Sequence, residues 1–272
     1  MNVVALKIVA RTLLLGGVFA LAAIAAFMRG GEPGITFALE NGINLTIGSR
    51  AFYNGLPVSG STWVLKDLVP GVDKFFNIED VKPGDSGEAT IDMHVESRGP
   101  VWMCLDFSNL QSNDNGVNEP ESHEDLNGTA EGELALGMEF FAWRDDGDGV
   151  FEVGEQPLFG TSTQSASVVL NAATYPIADS TTGSPLPDGT TNSVGIAWCA
   201  GDLFFNLTTA EISCEGAALW NSTQTDSFSV DVAIRAETEG NNFAFTCAGG
   251  GDSGRGRPLR PERPERPERP TR

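Results

Sequence analysis

The sequence predicts an all-β protein, a jelly-roll-like antiparallel β-sandwich with an N-terminal signal segment and a disordered C-terminal tail. Apolar and polar residues alternate over strand length in several segments, and clusters of Gly, Pro, Asn, Asp and Ser separate these segments. Sustained helical periodicity is absent from the sequence, and many short strands with frequent turns are typical of sandwiches and jelly rolls. The 272 residues leave room for a sizeable core.

Charge is distributed unevenly along the chain. The formal charge of −20 excludes a generic nucleic-acid binder, because affinity for phosphates depends on clustered Lys and Arg. Lys7, Arg11 and Arg29 precede residue 30 without any acid, and seven arginines and three glutamates occupy residues 255–272. Residues 30–254 hold seven basic and 34 acidic side chains. An acidic body therefore lies between two basic ends.

Residues 1–28 have the form of a signal peptide or a short anchor. Lys7 and Arg11 precede the apolar run Thr12–Met28, and Ala23-Ile24-Ala25 offers a cleavage site. The 17 residues of this run are at the short limit for spanning a bilayer. Export with cleavage is therefore favoured, and an uncleaved membrane anchor is the alternative. We expect an extracellular or cell-surface protein that touches a membrane only through an uncleaved leader.

Four cysteines form an even set, and in an exported chain disulfides are the first interpretation. Cys199 and Cys214 flank one candidate hairpin, which favours the pairs Cys199–Cys214 and Cys104–Cys247. A zinc site is the rival interpretation. It is disfavoured because the sequence has no C-x-x-C pair and only two histidines.

The strands are predicted in order along residues 29–248, which form the sandwich domain. Residues 35–47 contain the hairpin dipeptide Asn41-Gly42 between two short strands. Segments 89–96 and 228–236 alternate most clearly, and further strands are expected at 101–107, 168–170, 194–199 and 203–207. Residues 131–143 leave a short helix and a strand open, with the strand favoured from Met138 onward.

An acidic segment after Trp143 nearly fits a twelve-residue calcium loop. With Arg144 at position 1, Asp146 and Asp148 occupy positions 3 and 5, Gly149 occupies position 6 and Glu155 occupies position 12. Position 1 should be Asp, but Asp145 offers a substitute in a different geometry. The candidate ligands of calcium, the one expected cofactor, are Asp145, Asp146, Asp148, Glu152 and Glu155. The alternative is a solvated turn, as it is for a second acidic loop at residues 113–121.

Residues 249–272 form a Gly-rich linker and a Pro-Glu-Arg tail. Three Pro-Glu-Arg units run from Pro261 to Arg269, and proline at every third position suits an extended polyproline II rod. One interpretation is a spacer or a basic arm that touches an acidic surface, such as a neighbouring acidic body, a wall polymer or matrix DNA. The favoured interpretation, on composition, is a solvated, disordered tail.

Several motifs together resemble those of the TasA/camelysin family of exported matrix proteins. The resemblance spans roughly residues 12–247 and rests on the order of the motifs. The motifs are Val81-Lys82-Pro83-Gly84-Asp85 before an alternating strand, Gly132-Glu133-Leu134, the acidic loop Trp143–Glu155, Trp198-Cys199, Cys214, Gln224-Thr225-Asp226-Ser227 and Asn241-Asn242-Phe243 to Cys247. The chain departs from the family at Gly240, where relatives tend to carry a basic residue, and in its basic tail.

The resemblance implies a jelly-roll-like sandwich, export by a dedicated signal peptidase, and fibres at the cell surface or in a biofilm matrix. In related fibres a strand near the mature N-terminus completes the sheet of the next subunit, which is a form of β-augmentation. The apolar residues that would serve in this assembly strand are Ile35, Phe37, Leu39, Ile43, Leu45 and Ile47. The alternative is that these residues pair within their own subunit.

We therefore expect a structural protein without enzymatic activity, whose partners are copies of itself and cell-wall or matrix polymers. A monomeric surface binding module is the first alternative, and a camelysin-type secreted metallopeptidase is the second. The peptidase is disfavoured because the sequence has no H-E-x-x-H, and because His94 and His123 lack a third ligand in a zinc-site pattern. No G-x-S-x-G nucleophile motif is present either.

Overall fold

The computed structural model describes residues 42–69, 72–76, 81–114, 132–223 and 226–248. Within these ranges the chain forms antiparallel sheets arranged as a jelly-roll-like sandwich, as the sequence predicts. The signal segment 1–28, the tail 249–272 and the apolar residues Ile35, Phe37 and Leu39 lie outside the described residues. The second acidic loop is described only as far as Asp114.

The described ranges contain twelve strands, joined by turns and short helical segments. The strands are β1 Asn44–Tyr53, β2 Leu56–Pro57, β3 Trp63–Lys66, β4 Ser86–Glu96, β5 Val101–Asn113, β6 Met138–Asp145, β7 Gln164–Ser165, β8 Ala173–Ala178, β9 Thr190–Ala200, β10 Asp202–Asn206, β11 Glu211–Glu215 and β12 Ser227–Thr238. The helical segments are the α-helical turns Leu134–Gly137 and Ala166–Val169 and the 3₁₀ turns Ser59–Ser61, Gly216–Ala218 and Asn221–Thr223.

The strands form a large sheet, a small sheet and a hairpin. The large sheet has the order β2-β1-β4-β9-β6-β7, with β3 also paired to β1, and the small sheet has the order β12-β5-β8. Three antiparallel pairs are nested in sequence: β4 with β9, β5 with β8, and β6 with β7. Nested pairs of this kind describe one long hairpin rolled into two sheets, which is the jelly-roll arrangement. Its tip is the segment between β6 and β7, which contains the acidic loop.

The main core lies between the inner faces of the two sheets. Ile91, Met93 and Val95 of β4 alternate with more exposed residues, and all three are 0% exposed. Met103 and Leu105 of β5 face these residues from the small sheet. Phe140 of β6 packs edge to face against Phe228 of β12, with ring centroids 6.3 Å apart. This alternation is why the sequence pattern located these strands.

A second core covers the outer face of the large sheet, the face turned away from the small sheet. Phe141 and Trp143 of β6 pack there with Phe151 of the acidic loop and with Leu203 of the β10–β11 hairpin. Strands β6 and β9 are therefore buried on both faces, which explains their nearly continuous apolar runs. Trp143 lies across Gly195 of β9, where a Cβ atom would collide with the indole ring.

Two local expectations have different outcomes. The predicted change near Met138 is confirmed, because the helical turn Leu134–Gly137 ends there and β6 begins. The strand expected at residues 168–170 is wrong, because Ala166–Val169 forms a helical turn. Ala166, Val169 and Leu170 are buried while Val168 is exposed, which is the i, i+3, i+4 spacing of one helix face.

Both cysteine pairs lie at disulfide distance in the predicted pairing. The Cα atoms of Cys104 and Cys247 are 5.6 Å apart, and those of Cys199 and Cys214 are 5.4 Å apart. The second pair links β9 to the β10–β11 hairpin. Separately, no helix among the described residues has the length and apolar character needed to cross a membrane.

The segment after β12 crosses the outer face of the small sheet. The indole Nε1 of Trp102 donates to the carbonyl of Asn242 at 3.0 Å, and Cys247 is bonded to Cys104 on the same strand β5. Cys104 alternates with the inward-facing Met103 and pairs with Arg235, which donates to the carbonyl of Cys247, so Cys104 belongs to the outer face. The described chain therefore ends at Ala248 on the side of the sandwich opposite the β10–β11 hairpin.

Asp179 fastens this C-terminal segment to the end of β8. Its side chain is 2% exposed, and its carboxylate accepts hydrogen bonds from the backbone N–H groups of Cys247 at 3.0 Å and of Thr181 and Thr182 at 2.9 Å each. Burial alone would raise the pKa of this carboxyl, but the hydrogen bonds outweigh burial and hold the pKa at about 2.

We expect Asp179→Asn to lower the free energy of unfolding by about 2 kcal/mol near neutral pH. The folded-state pKa of about 2 lies below the ordinary 3.8. The stabilisation is therefore complete above the unfolded-state pKa and is lost as the pH falls through the folded-state pKa. Urea unfolding across this pH range measures the difference between variant and wild type.

The matched control is Asp202→Asn, since Asp202 is an exposed carboxylate of β10. A deficit of Asp179→Asn that stays constant on acidification, or that the control reproduces, would contradict this account of the carboxylate.

Candidate functional site

The acidic loop that follows β6 is organised by its first carboxylate. Asp145 is 8% exposed, and its Oδ1 accepts from the indole Nε1 of Trp143 at 3.2 Å. Its Oδ2 accepts from the backbone N–H of Gly147 at 2.9 Å, and both oxygens lie 3.1 Å from the N–H of Gly149. Gly147 and Gly149 have φ of +114° and +82°, a conformation that favours glycine. The Asp-Asp-Gly-Asp-Gly sequence therefore folds around one buried carboxylate.

The far end of the loop is closed by Glu155. Its Oε1 accepts from the N–H of Asp146 at 3.1 Å, and its Oε2 accepts from the N–H of Glu152 at 2.8 Å. Burial raises the pKa of the Glu155 carboxyl above its ordinary value, and the negative charges of Asp145 and Asp146 add to this rise although the two hydrogen bonds oppose it. Like charges are thus held close together within the loop.

Arg50 of β1 ties the loop to the sheet. Its guanidinium donates to the backbone carbonyls of Asp148 at 3.0 Å and Gly147 at 2.8 Å. Its Nε lies 3.9 Å from the carboxylate of Asp92, which also accepts a hydrogen bond from Ser193 at 2.6 Å. A positive side chain is therefore placed beneath a loop rich in carboxylates. No local pattern in the sequence identified Arg50, which precedes Gly147 by 97 residues.

Arg144 does not take part in the acidic loop. It lies on the inner face of β6, and its guanidinium donates to the carbonyls of Ile177 at 2.5 Å and Pro176 at 2.7 Å on β8. Burial lowers the pKa of Arg144, and nearby Asp179 partly offsets this. Position 1 of the twelve-residue frame therefore points away from the other positions. Arg144 instead covers carbonyl groups of β8, an edge strand of the small sheet.

Three of the five proposed calcium ligands are brought together. Asp145, Asp146 and Asp148 each offer a carboxylate oxygen within 4.8 Å of the others. Hard carboxylate oxygens suit Ca²⁺, so this group fits the cation by chemistry. Both oxygens of Asp145 and both oxygens of Glu155 already accept backbone N–H bonds. The same carboxylates therefore also have a role in folding the loop.

A cleft lies beside the acidic loop on the outer face of the large sheet. It holds about 500 Å³ between the loop and the β10–β11 hairpin. Its floor includes Phe52 of β1, Glu88 of β4 and Ala197 of β9, which stand side by side across the three strands. Sequence reasoning missed this set, because the register that joins the three strands has no local signal.

The described part of the predicted assembly strand lies within its own subunit. Ile43, Leu45 and Ile47 are 4%, 7% and 0% exposed in the main core. Leu45 and Ile47 belong to β1, which pairs with β4 over its whole length. The other side of β1 carries only the short strands β2 and β3. In the described part of the chain, then, these residues follow the intrasubunit alternative.

His94 lies on the outer face of β4, where its Nδ1 is 3.0 Å from the hydroxyl of Thr191 and its Nε2 is 3.9 Å from Glu96. Within the described ranges, the aspartate group of the acidic loop is the one set of three candidate metal ligands, and it does not include His94. His123 falls outside the described residues.

Comparison with protein-family models and with curated proteins finds no match for this chain.

We expect Arg50→Gln to loosen the acidic loop without unfolding the sandwich. The substitution removes two charge-assisted bonds to backbone carbonyls, and the half-exposed position limits the loss to about 1–1.5 kcal/mol. Hydrogen exchange of the Gly147, Gly149 and Val150 amides should therefore accelerate about fivefold to tenfold. Arg98→Gln, at an exposed arginine between β4 and β5, serves as the control. Equal exchange in the two variants would show that Arg50 does not hold the loop.

Proposed function

We propose that the mature chain is an exported structural protein that assembles with copies of itself into fibres at the cell surface or in a biofilm matrix. The resemblance to the TasA/camelysin family motivates this function. The observation that carries it is an exposed apolar edge of the large sheet, formed by β2 and β3. The two cysteine pairs at disulfide distance support the exported location, since disulfides persist in oxidising compartments.

The apolar edge is unusual for a strand that stays in water. Val64 of β3 is 84% exposed, Leu65 is 43% exposed, and Leu56 of β2 is 71% exposed. Among the described strands, β3 pairs with β1 alone, and no described strand lies along its other side. Isolated proteins normally protect such edges with charges, proline or a covering segment. Pro57 of β2 and Lys66 of β3 protect part of this edge. The apolar side chains between them remain uncovered by any described segment, and a further strand could cover them.

Two other edge strands carry protection and lack such exposed apolar side chains. Strand β8 contains Pro176, and Arg144 covers two of its carbonyl groups. Strand β12, at the opposite edge of the small sheet, includes Asp231, Arg235 and Glu237. Charged residues and proline are the usual means of preventing edge-to-edge association. The β2–β3 edge has Pro57 and Lys66 too, but it also exposes Leu56, Val64 and Leu65, whereas neither β8 nor β12 has an exposed large apolar side chain. This difference favours the β2–β3 edge as the growing edge of a fibre.

The incoming strand is proposed to be the segment around Ile35, Phe37 and Leu39 of a neighbouring copy. Its large apolar residues alternate with the smaller Thr36 and Ala38, which is the pattern of a strand with one buried face. Backbone hydrogen bonds would supply affinity, and the alternating side chains would fix the register. A body with an excess of carboxylates also needs such contacts to overcome its own repulsion.

We expect the purified mature protein to form filaments in negative-stain electron microscopy, and Val64→Asp to prevent them. A charge placed on the apolar edge opposes strand addition. Val168→Asp is the matched control, because Val168 is 57% exposed and lies in the helical turn after β7, at the edge of the large sheet opposite β2 and β3. Melting curves verify that both variants are folded. Filaments of Val64→Asp equal to those of the control would contradict the edge, and persistent wild-type monomers would favour a surface binding module.

Calcium binding by the acidic loop is a separate proposal. We expect Ca²⁺ to raise the melting temperature of the wild type relative to a chelator, because Asp145, Asp146 and Asp148 lie close enough to share one cation. The double variant Asp146→Asn and Asp148→Asn should lose this rise. Glu96→Gln, outside the loop, should retain it. Wild-type melts that are the same with Ca²⁺ and with chelator would contradict the proposal.

A further inference from the structure

The cleft beside the acidic loop is an uncovered strip of the large sheet. The loop covers one part of the outer face and the β10–β11 hairpin covers another, and the floor of the cleft remains open between them. Phe52, on this floor, is 39% exposed. The strip therefore presents an aromatic side chain and a set of polar side chains to a partner of suitable shape.

The centre of this strip has the chemistry of a guanidinium site. Glu88 stands directly opposite Phe52 in the antiparallel pairing of β1 with β4, so the two side chains share one face of the sheet. A guanidinium pairs with a carboxylate through two parallel hydrogen bonds and stacks on an aromatic ring with its flat face. A carboxylate beside an aromatic ring on the neighbouring strand can therefore receive an arginine.

Glu88 has no other partner within the described part of the chain. No hydrogen bond or ion pair joins it to a described residue, and its other cross-strand neighbour is Ala197, which offers only a methyl group. Glu88 is an exposed residue at the cleft, and partial desolvation of its carboxyl raises the pKa above the ordinary value. Arg50, the one basic residue among those lining the cleft, is already bonded to the acidic loop. An arriving cation would therefore meet an exposed carboxylate with which no described side chain pairs.

The surroundings of the cleft are negative as well. Exposed carboxylates stand on the acidic loop at Asp146, Asp148 and Glu152, and on the hairpin at Asp202, Glu211 and Glu215. Charges arranged in this way attract and orient a basic partner. They also repel acidic polymers, which makes an acidic matrix component a poor occupant.

The chain itself contains a matching basic segment. Arginine precedes proline five times at intervals of three, at Arg257, Arg260, Arg263, Arg266 and Arg269. In a polyproline II conformation, with three residues per turn and about 3.1 Å per residue, these arginines would align on one side about 9 Å apart. Such rods are common ligands of grooves lined by aromatic residues.

We propose that the Pro-Glu-Arg tail of one copy docks in the cleft of a second copy, with one of its arginines between Phe52 and Glu88. The described chain ends at Ala248 on the outer face of the small sheet, where Cys247 is bonded to Cys104. The cleft is on the outer face of the large sheet, so the end of the described chain and the cleft lie on opposite faces of the sandwich. This arrangement makes a head-to-tail contact, which can be repeated from copy to copy.

The test is the binding of a labelled peptide with the sequence of residues 255–272, measured by fluorescence anisotropy with a chelator present. The receptor is the full chain in which the five repeat arginines are replaced by glutamine, so that its own tail cannot compete. We expect saturable binding that weakens as salt is raised. Adding Glu88→Gln to this receptor should reduce affinity about tenfold, and adding Phe52→Leu should reduce it about threefold.

Glu96→Gln in the same receptor is the control, because Glu96 is exposed at the other end of β4. Melting curves verify that each receptor is folded. Absence of peptide binding, or equal affinities of the Glu88→Gln and Glu96→Gln receptors, would overturn the site. The wild-type chain is tested at concentrations where it is monomeric. If it then binds the peptide no better than the Glu88→Gln receptor does, each tail occupies its own cleft. That result would overturn docking between copies. None of these measurements requires filaments, so they fail or succeed separately from fibre assembly.

Discussion

The structure depends on the burial of β6 and β9 on both faces. Phe140 and Trp198 face the main core, while Phe141 and Trp143 face the opposite way and are equally buried. Burying a side chain of this size contributes about 1.5–3 kcal/mol. The outer face therefore has to be covered, and the chain covers it with the β10–β11 hairpin and the acidic loop. The loop is consequently part of the fold: Phe151 inserts against Phe141 with ring centroids 4.9 Å apart.

This constraint accounts for the shape of the candidate sites. The disulfide between Cys199 and Cys214 holds the hairpin against β9, and Arg50 holds the acidic loop against β1. Because the two covering structures leave part of this face uncovered, an open strip remains over β1, β4 and β9. The cleft is thus a consequence of incomplete coverage. Its chemistry is decided by whichever side chains the register of these strands brings to the outer face.

The sequence was informative where one local pattern decides the outcome. Strands β4 and β12 alternate because each has one buried face, and the change at Met138 from helical turn to strand was visible in the same way. The pattern failed at residues 168–170, where a short apolar run fits a helix face as well as a strand. The cysteine pairing followed from a hairpin that the sequence also indicated.

Contacts between distant strands had no comparable signal. Phe52 and Glu88 are neighbours only because β1 and β4 pair in one register, and a shift of one residue would turn one of them to the other face. Arg50 is likewise recognisable as a support of the acidic loop only in three dimensions. The acidic segment itself was evident in the sequence, but the direction of Arg144, and therefore the set of carboxylates that converge, depended on the face of β6.

The two contacts proposed between copies have opposite responses to salt. An apolar strand edge gains from salt, because screening reduces the repulsion between acidic bodies while hydrophobic contact is retained. Docking of an arginine-rich tail against Glu88 loses strength as the same screening increases. Residues 30–254, with 34 acids and seven bases, provide the repulsion that both contacts must overcome. At low ionic strength the tail contact would therefore dominate association, and at high ionic strength the strand edge would dominate it. The association of copies that use both contacts is consequently less sensitive to salt than association through either contact alone.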